Sequence, residues 1–276
     1  MPTRLHVLLS PAEWQDPARA PGSGTTAVVF DVLRATSTAV TALAHGAAAL
    51  IPVATLEEAV AWRQRRPDCL LAGERSGVRP SPHLTGGIPF DLGNSPREFL
   101  PDRVRGRLIV FTTTNGSRAL RACQAADAVL TGAFLNLGAT LETLRFLRPP
   151  HVVLVCAGTG EEFALEDLLA AGALVERWCT ADPAVHLTDA AAAARHLWRS
   201  AGTNPADAMR DSANARRLTA HPDLRDDVTW CLQPDRFNLA VWLAGPDGGL
   251  RAGTPAAAAE ALRPRQAGLP PGASLC

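Results

Sequence analysis

The chain has no lysine and no tyrosine in 276 residues. All 27 of its basic side chains are therefore arginine, a pattern that reads as coding bias rather than selection. Schiff-base chemistry and a lysine-activated nucleophile are excluded. An arginine is also weaker evidence for bidentate anion recognition here than in a chain where lysine competes for the same positions.

Net charge is missing too, because 27 acidic residues balance the arginines. No global field draws nucleic acid or an acidic membrane to such a chain, so any anion site must be local. No apolar run approaches a membrane span, and the N-terminus has no apolar stretch behind a basic region. The expected setting is a reduced cytoplasm. Six cysteines, Cys69, Cys123, Cys156, Cys179, Cys231 and Cys276, form no C-x-x-C pair, which argues against a zinc site or a disulfide framework. No G-x-x-x-x-G-K-[ST] motif occurs, and Gly158-Thr159-Gly160 supplies only the first half of a dinucleotide fingerprint before Glu161 and Glu162, which would repel a pyrophosphate.

What the chain does have is a repeated grammar. Val28-Val-Phe-Asp31, Leu108-Ile-Val-Phe111 and Val152-Val-Leu-Val155 each lead through a polar or Gly-rich turn into an Ala/Leu-rich helical stretch. Shorter runs at 49–53, 69–72 and 128–130 read as further strands. Short β-branched runs between helices describe strands buried on both faces of a sheet. The fold class is α/β, a layered sandwich around a largely parallel or mixed sheet. In such folds ligands gather where strands end and helices begin. The expected organisation is an α/β catalytic core over 1–180 and, over 181–276, a helical segment and C-terminal hairpin packed on the core in one compact unit. Thr188 is placed to cap an Ala-rich helix, and a second helix is expected near Asp207. The hairpin pairs the stretches around Val241 and Arg251 through residues 245–249. Its Ala-rich third quarter and tryptophans suit a homodimer. The Pro/Gly/Ser-rich segment 76–97 reads as a lid or mobile connector, and the tail after Gly253 as a fraying end.

The turn Thr112-Thr113-Thr114-Asn115-Gly116-Ser117 is, taken alone, a capped entry to a helix. Free amides beside hydroxyls at that place also cradle a phosphate, sulfonate or carboxylate. Asp31, at a strand end before Arg34, Thr36, Ser37 and Thr38, can bind a metal, attack phosphorus or cap the next helix. Arg34 can clamp an anionic oxygen. Glu166 and Asp167 follow Gly158 and Thr159; adjacent acids cannot share one helix face, so one should face the site and the other solvent or an arginine. Glu74 follows another strand, and Asp91 and Asn94 punctuate the 76–97 segment. Carboxylates from separate strand ends beside hydroxyl-rich turns are the ingredients of a Mg²⁺ site handling a phosphate ester. Among the histidines only His83 is placed to act as an acid. Cys156 reads as a buried, inert thiol, and Trp178, Trp198, Trp230 and Trp242 as core anchors.

Taken together and in order, these blocks resemble the 2-phosphosulfolactate phosphatase family. The blocks are Asp31-Val-Leu-Arg-Ala-Thr-Ser-Thr38, Ala72-Gly-Glu-Arg75, Phe90-Asp-Leu-Gly-Asn-Ser-Pro96, Thr112 to Leu120, Gly132-Ala-Phe-Leu-Asn136, Cys156 to Thr159 and Phe163-Ala-Leu-Glu-Asp167. They span residues 27–178. The resemblance implies an α/β fold with its own topology and a Mg²⁺-dependent hydrolase of coenzyme M biosynthesis, which converts 2-phospho-3-sulfolactate to 3-sulfolactate and phosphate. It adds Ser95 and Asn136 to the substrate-binding candidates Thr36, Ser37, Asn94, Thr113, Thr114, Asn115, Gly116, Gly158 and Thr159. Asp31, Arg34, Glu166 and Asp167 are the catalytic candidates, and Asp31, Glu74, Glu166 and Asp167 the metal ligands.

A small substrate with phosphate, carboxylate and sulfonate carries three anions, and the sequence offers three polar strand-to-helix turns. Positioning and electrostatics dominate phosphoryl transfer, and water or Asp31 can be the nucleophile. The alternatives are a phosphatase for another small phosphorylated 2-hydroxy acid, or a non-catalytic binder of anionic metabolites.

Overall fold

The apolar β-branched runs do become strands buried on both faces. The computed structural model describes residues 2–202, 204–244 and 248–263. Its strands are β1 (Arg4–Leu8), β2 (Thr26–Phe30), β3 (Ala49–Pro52), β4 (Leu70–Gly73), β5 (Leu108–Thr112), β6 (Ala128–Gly132), β7 (His151–Cys156), β8 (His186–Leu187), β9 (Ala240–Ala244) and β10 (Gly249–Gly253). They form one sheet in the order β4-β5-β3-β10-β9-β6-β2-β7-β1-β8. β6, β2, β7, β1 and β8 are mutually parallel, as are β3, β5 and β4. The antiparallel hairpin of β9 and β10 lies between these two blocks, joined by one residue pair on each side, Leu130 with Trp242 and Leu50 with Leu250. The sheet is thus mixed and mostly parallel, as expected for the α/β class. The hairpin belongs to its interior rather than to a layer laid on it.

β2 shows why the layers form. Its alternate side chains enter opposite cores, as a two-residue period requires. Val28 and Phe30 pack with Leu169 and Leu174 of the helix Leu165–Ala181. Ala27 and Val29 pack with Ala39, Val40 and Leu43 of the helix Ala35–Ala44. A third cluster, Ile51, Val53, Leu71 and Val110, fills the space under the helix Leu56–Arg65.

Two strands escape the sequence reading. β1 has a half-polar face and β8 only two residues, so neither gives a long apolar run. β1 nonetheless extends the sheet from β7 to β8. Thr188 caps the helix Asp189–Ala201 by accepting the Ala191 N–H, and the helix near Asp207 is the short Pro205–Ala208. Thr203, the hairpin turn at 245–247, and the tail from 264 to Cys276 lie outside the described residues.

The 76–97 segment holds one 3₁₀ turn, Pro82–Thr85, and leads into a second at Pro96–Glu98. Asp91 pairs with Arg63 and accepts the Leu71 N–H at 2.7 Å. Glu98 pairs with Arg79 and accepts the Gly93 N–H at 3.1 Å. Among the described residues, no helix is long and apolar enough to cross a membrane.

Candidate active site

The C-terminal ends of β2, β4, β5 and β7 converge on one pocket of about 340 Å³. From the end of β2 come Asp31, Leu33 and Arg34; beyond β4 lie Glu74, Ser76 and Gly77. The turn after β5 contributes Thr114 and Asn115, and the turn after β7 contributes Gly158, Thr159 and Gly160. Asn94 completes one wall, and Asn214 and Arg217 reach in from the helix Ala213–Ala220.

Asp31 is the centre of this arrangement. Its carboxylate accepts the Ala35 N–H at 3.2 Å and the Gly116 N–H. Burial, with the Glu74 and Glu166 carboxylates adding to it, pushes Asp31 up to about 7 despite those two hydrogen bonds. Gly116 has to be glycine for steric reasons: a Cβ there would sit 2.6 Å from Asp31 Oδ2 and 2.6 Å from Ala35 Cβ. Gly116→Ala should therefore displace the carboxylate, lowering kcat/KM by at least about tenfold at a cost of roughly 1–3 kcal/mol in stability. Full activity in that variant, with a lowered melting temperature, would remove Asp31 from the chemistry.

Glu74 is held where β4 ends against β5. At Gly73 a Cβ would lie 1.9 Å from the Thr112 carbonyl oxygen, so only glycine permits that approach. Glu74 then accepts the Thr114 N–H and the Gly77 N–H, both at 2.7 Å. Asp167 accepts the Val32 N–H at 2.8 Å and the Gly158 N–H at 3.0 Å, which ties the β2 turn to the β7 turn. Burial first, then Asp31 and Glu166, hold its carboxyl well above the ordinary range. Glu166 accepts from Ser212 Oγ at 2.7 Å and Asn214 Nδ2 at 2.8 Å.

The expected split between Glu166 and Asp167 does not occur. Both are buried, because the first helical turn lies between the β2 and β7 turns on one side and residues 212–214 on the other. Neither meets solvent or an arginine, and neither lines the pocket. Arg34 does line it, but its guanidinium is already engaged: Nη1 donates to Asp227 at 2.8 Å and Nη2 to the Gly77 carbonyl at 2.6 Å.

Most of the expected hydroxyl ligands turn out to brace the turns instead. Thr36 Oγ1 accepts the Asp31 N–H at 3.1 Å, and Ser37 Oγ donates to the Val32 carbonyl at 2.8 Å. Thr113 Oγ1 accepts the Ser117 N–H at 3.0 Å, which satisfies a free amide in the first turn of the helix Gly116–Ala122. Ser95 Oγ donates to Asp227 at 2.6 Å. Asn136 is fully buried, with its amide on the Thr131 carbonyl and the Ala133 N–H. None of these five side chains lines the pocket. Gly116 stands behind Asp31 rather than in the lining. His83 is exposed and outside the pocket, and Asp91 is bound to Arg63. Cys156 is fully buried, and burial raises its thiol well above the usual range, consistent with an inert role.

The structure does bring together Asp31, Arg34, Glu74, Asn94, Thr114, Asn115, Gly158 and Thr159. Asn115 latches the β7 turn, donating to the Ala157 carbonyl at 2.9 Å and the Gly160 carbonyl at 2.8 Å while accepting the Gly160 N–H at 3.0 Å. Asn94 Oδ1 is buried and has no protein partner. Sequence reasoning missed Ser212, Asn214, Arg217 and the role of Asp227. In a chain whose only basic side chain besides histidine is arginine, Arg217 carried no signal of its own.

A hard divalent cation fits this donor set in one way. Among the described residues, no three His, Cys, Asp or Glu side chains converge as a ligand cage. Mg²⁺ does not need one, since it commonly binds through one or two carboxylates, waters and the substrate's own phosphate. Asp31 and Glu74 supply two carboxylates on the pocket wall, and Asn94, which lines the same pocket, has an Oδ1 without a protein partner.

The pocket is walled by carboxylates and two arginines at the strand ends of a mixed α/β sheet, the place where proteins of the α/β class bind small ligands. The sequence pattern of the 2-phosphosulpholactate phosphatase family matches residues 12–245, and the chain belongs to that family of phosphoric monoester hydrolases. Proteins called probable 2-phosphosulfolactate phosphatase resemble it closely. One from Thermotoga petrophila is 40% identical over 218 residues, covering 79% of this chain and 88% of its own. One from Symbiobacterium thermophilum is 40% identical, covering 76% and 88%. One from Deinococcus radiodurans is 41% identical, covering 80% and 88%.

Proposed function

We propose that this chain hydrolyses the phosphate ester of 2-phospho-3-sulfolactate in a Mg²⁺-dependent reaction, releasing 3-sulfolactate and inorganic phosphate. Water adds to phosphorus as the ester P–O bond breaks, and the departing oxygen takes a proton to become the secondary hydroxyl. The observation that carries the reading is the convergence of the Asp31 and Glu74 carboxylates with the Arg34 and Arg217 guanidinium groups in one pocket. The relatives, described as probable 2-phosphosulfolactate phosphatases, supply the substrate.

Asp31 and Glu74 are the ligands we assign to Mg²⁺, which when bound supplies Lewis-acid neutralisation of phosphoryl charge. Arg34 has N–H groups beyond those given to Asp227 and Gly77, and they can meet an equatorial phosphoryl oxygen. The turn at Gly158–Gly160 closes the same space with its own amides given to Asp167, the Glu162 carbonyl and Asn115, and Asn115 keeps that turn in place. The Arg34 guanidinium, held in place by Asp227 and Gly77, is a preorganised donor of the kind that stabilises developing charge without reorganising. Asp167 and Glu166 act from behind, as struts between the turns. The family resemblance is what extends the proposal to a role in coenzyme M biosynthesis.

Phosphate release should be measured over a panel of phosphorylated 2-hydroxy acids and glycerol phosphates. The reading expects the highest kcat/KM for the sulfonated ester, loss of turnover in chelator, and recovery with Mg²⁺. Preference for an ester without sulfonate would replace the substrate, and unchanged turnover in chelator would remove the metal.

A further inference from the structure

Two guanidinium groups flank Gly77 at the pocket mouth, and they differ in what neutralises them. Arg34 is buried, with Asp227 as counter-ion. Arg217 is exposed, lines the pocket and has no carboxylate within ion-pairing distance among the described residues. Its Nη2 donates to Asn214 Oδ1 at 2.7 Å. Asn214 is itself fixed, because its Nδ2 donates to the Leu33 carbonyl and to Glu166, both at 2.8 Å. The bare backbone of Gly77 lets the guanidinium approach, since a Cβ there would lie 2.6 Å from Arg217 Nη1. The pocket therefore holds an oriented cation that no acid among the described residues satisfies.

We propose that Arg217 is the specificity-determining residue of this pocket and that it binds the substrate's sulfonate. This rests on the phosphosulfolactate reading above. The phosphate belongs deeper, beside Asp31 and Glu74. The carboxylate is attached directly to the carbon bearing the phosphoester, whereas the sulfonate sulfur stands one carbon further out. The longer arm is the one that reaches a cation on the rim. A guanidinium fork also matches two sulfonate oxygens as it matches two of a carboxylate or phosphate.

The test compares kcat and KM for 2-phospho-3-sulfolactate and 2-phospholactate in wild type, Arg217→Ala and Arg217→Lys. Phospholactate keeps the phosphate and carboxylate and lacks only the sulfonate. In Arg217→Ala the preference for the sulfonated ester should fall about 10–100-fold, the range for a lost charged hydrogen bond, mainly through KM. Arg217→Lys should recover part of it. An equal loss for both esters, or an unchanged preference, overturns the proposal. If wild type hydrolyses neither ester, the hydrolytic reading fails, and Arg217 is then judged by binding of 3-sulfolactate and lactate. Loss of the sulfolactate preference in Arg217→Ala supports it, and retention of that preference overturns it.

Discussion

Asp31→Asn should abolish phosphate release and, at pH 8 in chelator, raise the melting temperature. Asp31 titrates at about 7 in the folded chain, against roughly 3.9 for an exposed aspartate. Between those values the native state holds a proton that the unfolded state has lost, so stability falls as pH rises through that window. Three pH units correspond to about 4 kcal/mol. Asparagine removes that penalty and its Oδ1 still accepts one of the Ala35 and Gly116 amides, but the other loses its acceptor and faces Nδ2, costing roughly 1–3 kcal/mol. The net gain is about 2 kcal/mol, near 4 °C for a chain of this size. At about pH 2.5, below both values, both states are protonated and the gain should vanish. Thermal unfolding at the two pH values checks this, and a variant less stable than wild type at pH 8 would contradict it. The expected sign marks Asp31 as a residue kept for function at the expense of stability.

Asp227→Ala should have the largest destabilising effect. Arg34 and Asp227 are 3% and 0% exposed, and Asp227 also accepts Ser95 Oγ at 2.6 Å. Removing one partner of a buried pair leaves an uncompensated charge, at a cost of about 3–5 kcal/mol. The melting temperature should drop by at least about 6 °C. Replacing both partners, as in Arg34→Met with Asp227→Leu, should restore much of the stability, because well-packed apolar substitutes often match a buried ion pair. Activity should stay lost, since the pocket would lack its inner guanidinium. Denaturant melts with parallel phosphatase assays separate the two effects. Recovery of activity in the double variant would exclude Arg34 from the reaction.

The strand-to-helix units at β2, β5 and β7 were legible because β-branched runs and polar turns are local signals. They placed Asp31, Thr114, Asn115, Gly158 and Thr159 on one rim. The roles of the hydroxyls were not legible: a Thr after a strand has the same sequence signature whether it faces a ligand or, like Thr36 and Thr113, braces its own turn. Glu166 misled for a related reason, since its cover comes from Ser212 and Asn214, 46 and 48 residues away. The ion pair between Arg34 and Asp227 spans 193 residues. No periodicity carries such a contact, and the third of the chain that supplies Asn214, Arg217 and Asp227 has the weakest motifs.

The most direct measurement is phosphate release from racemic 2-phospho-3-sulfolactate by wild type and Asp31→Asn, each with Mg²⁺ and with chelator. The account predicts release only from wild type with Mg²⁺. Release by Asp31→Asn at a comparable rate, or by wild type in chelator, would contradict a metal-dependent centre built on Asp31.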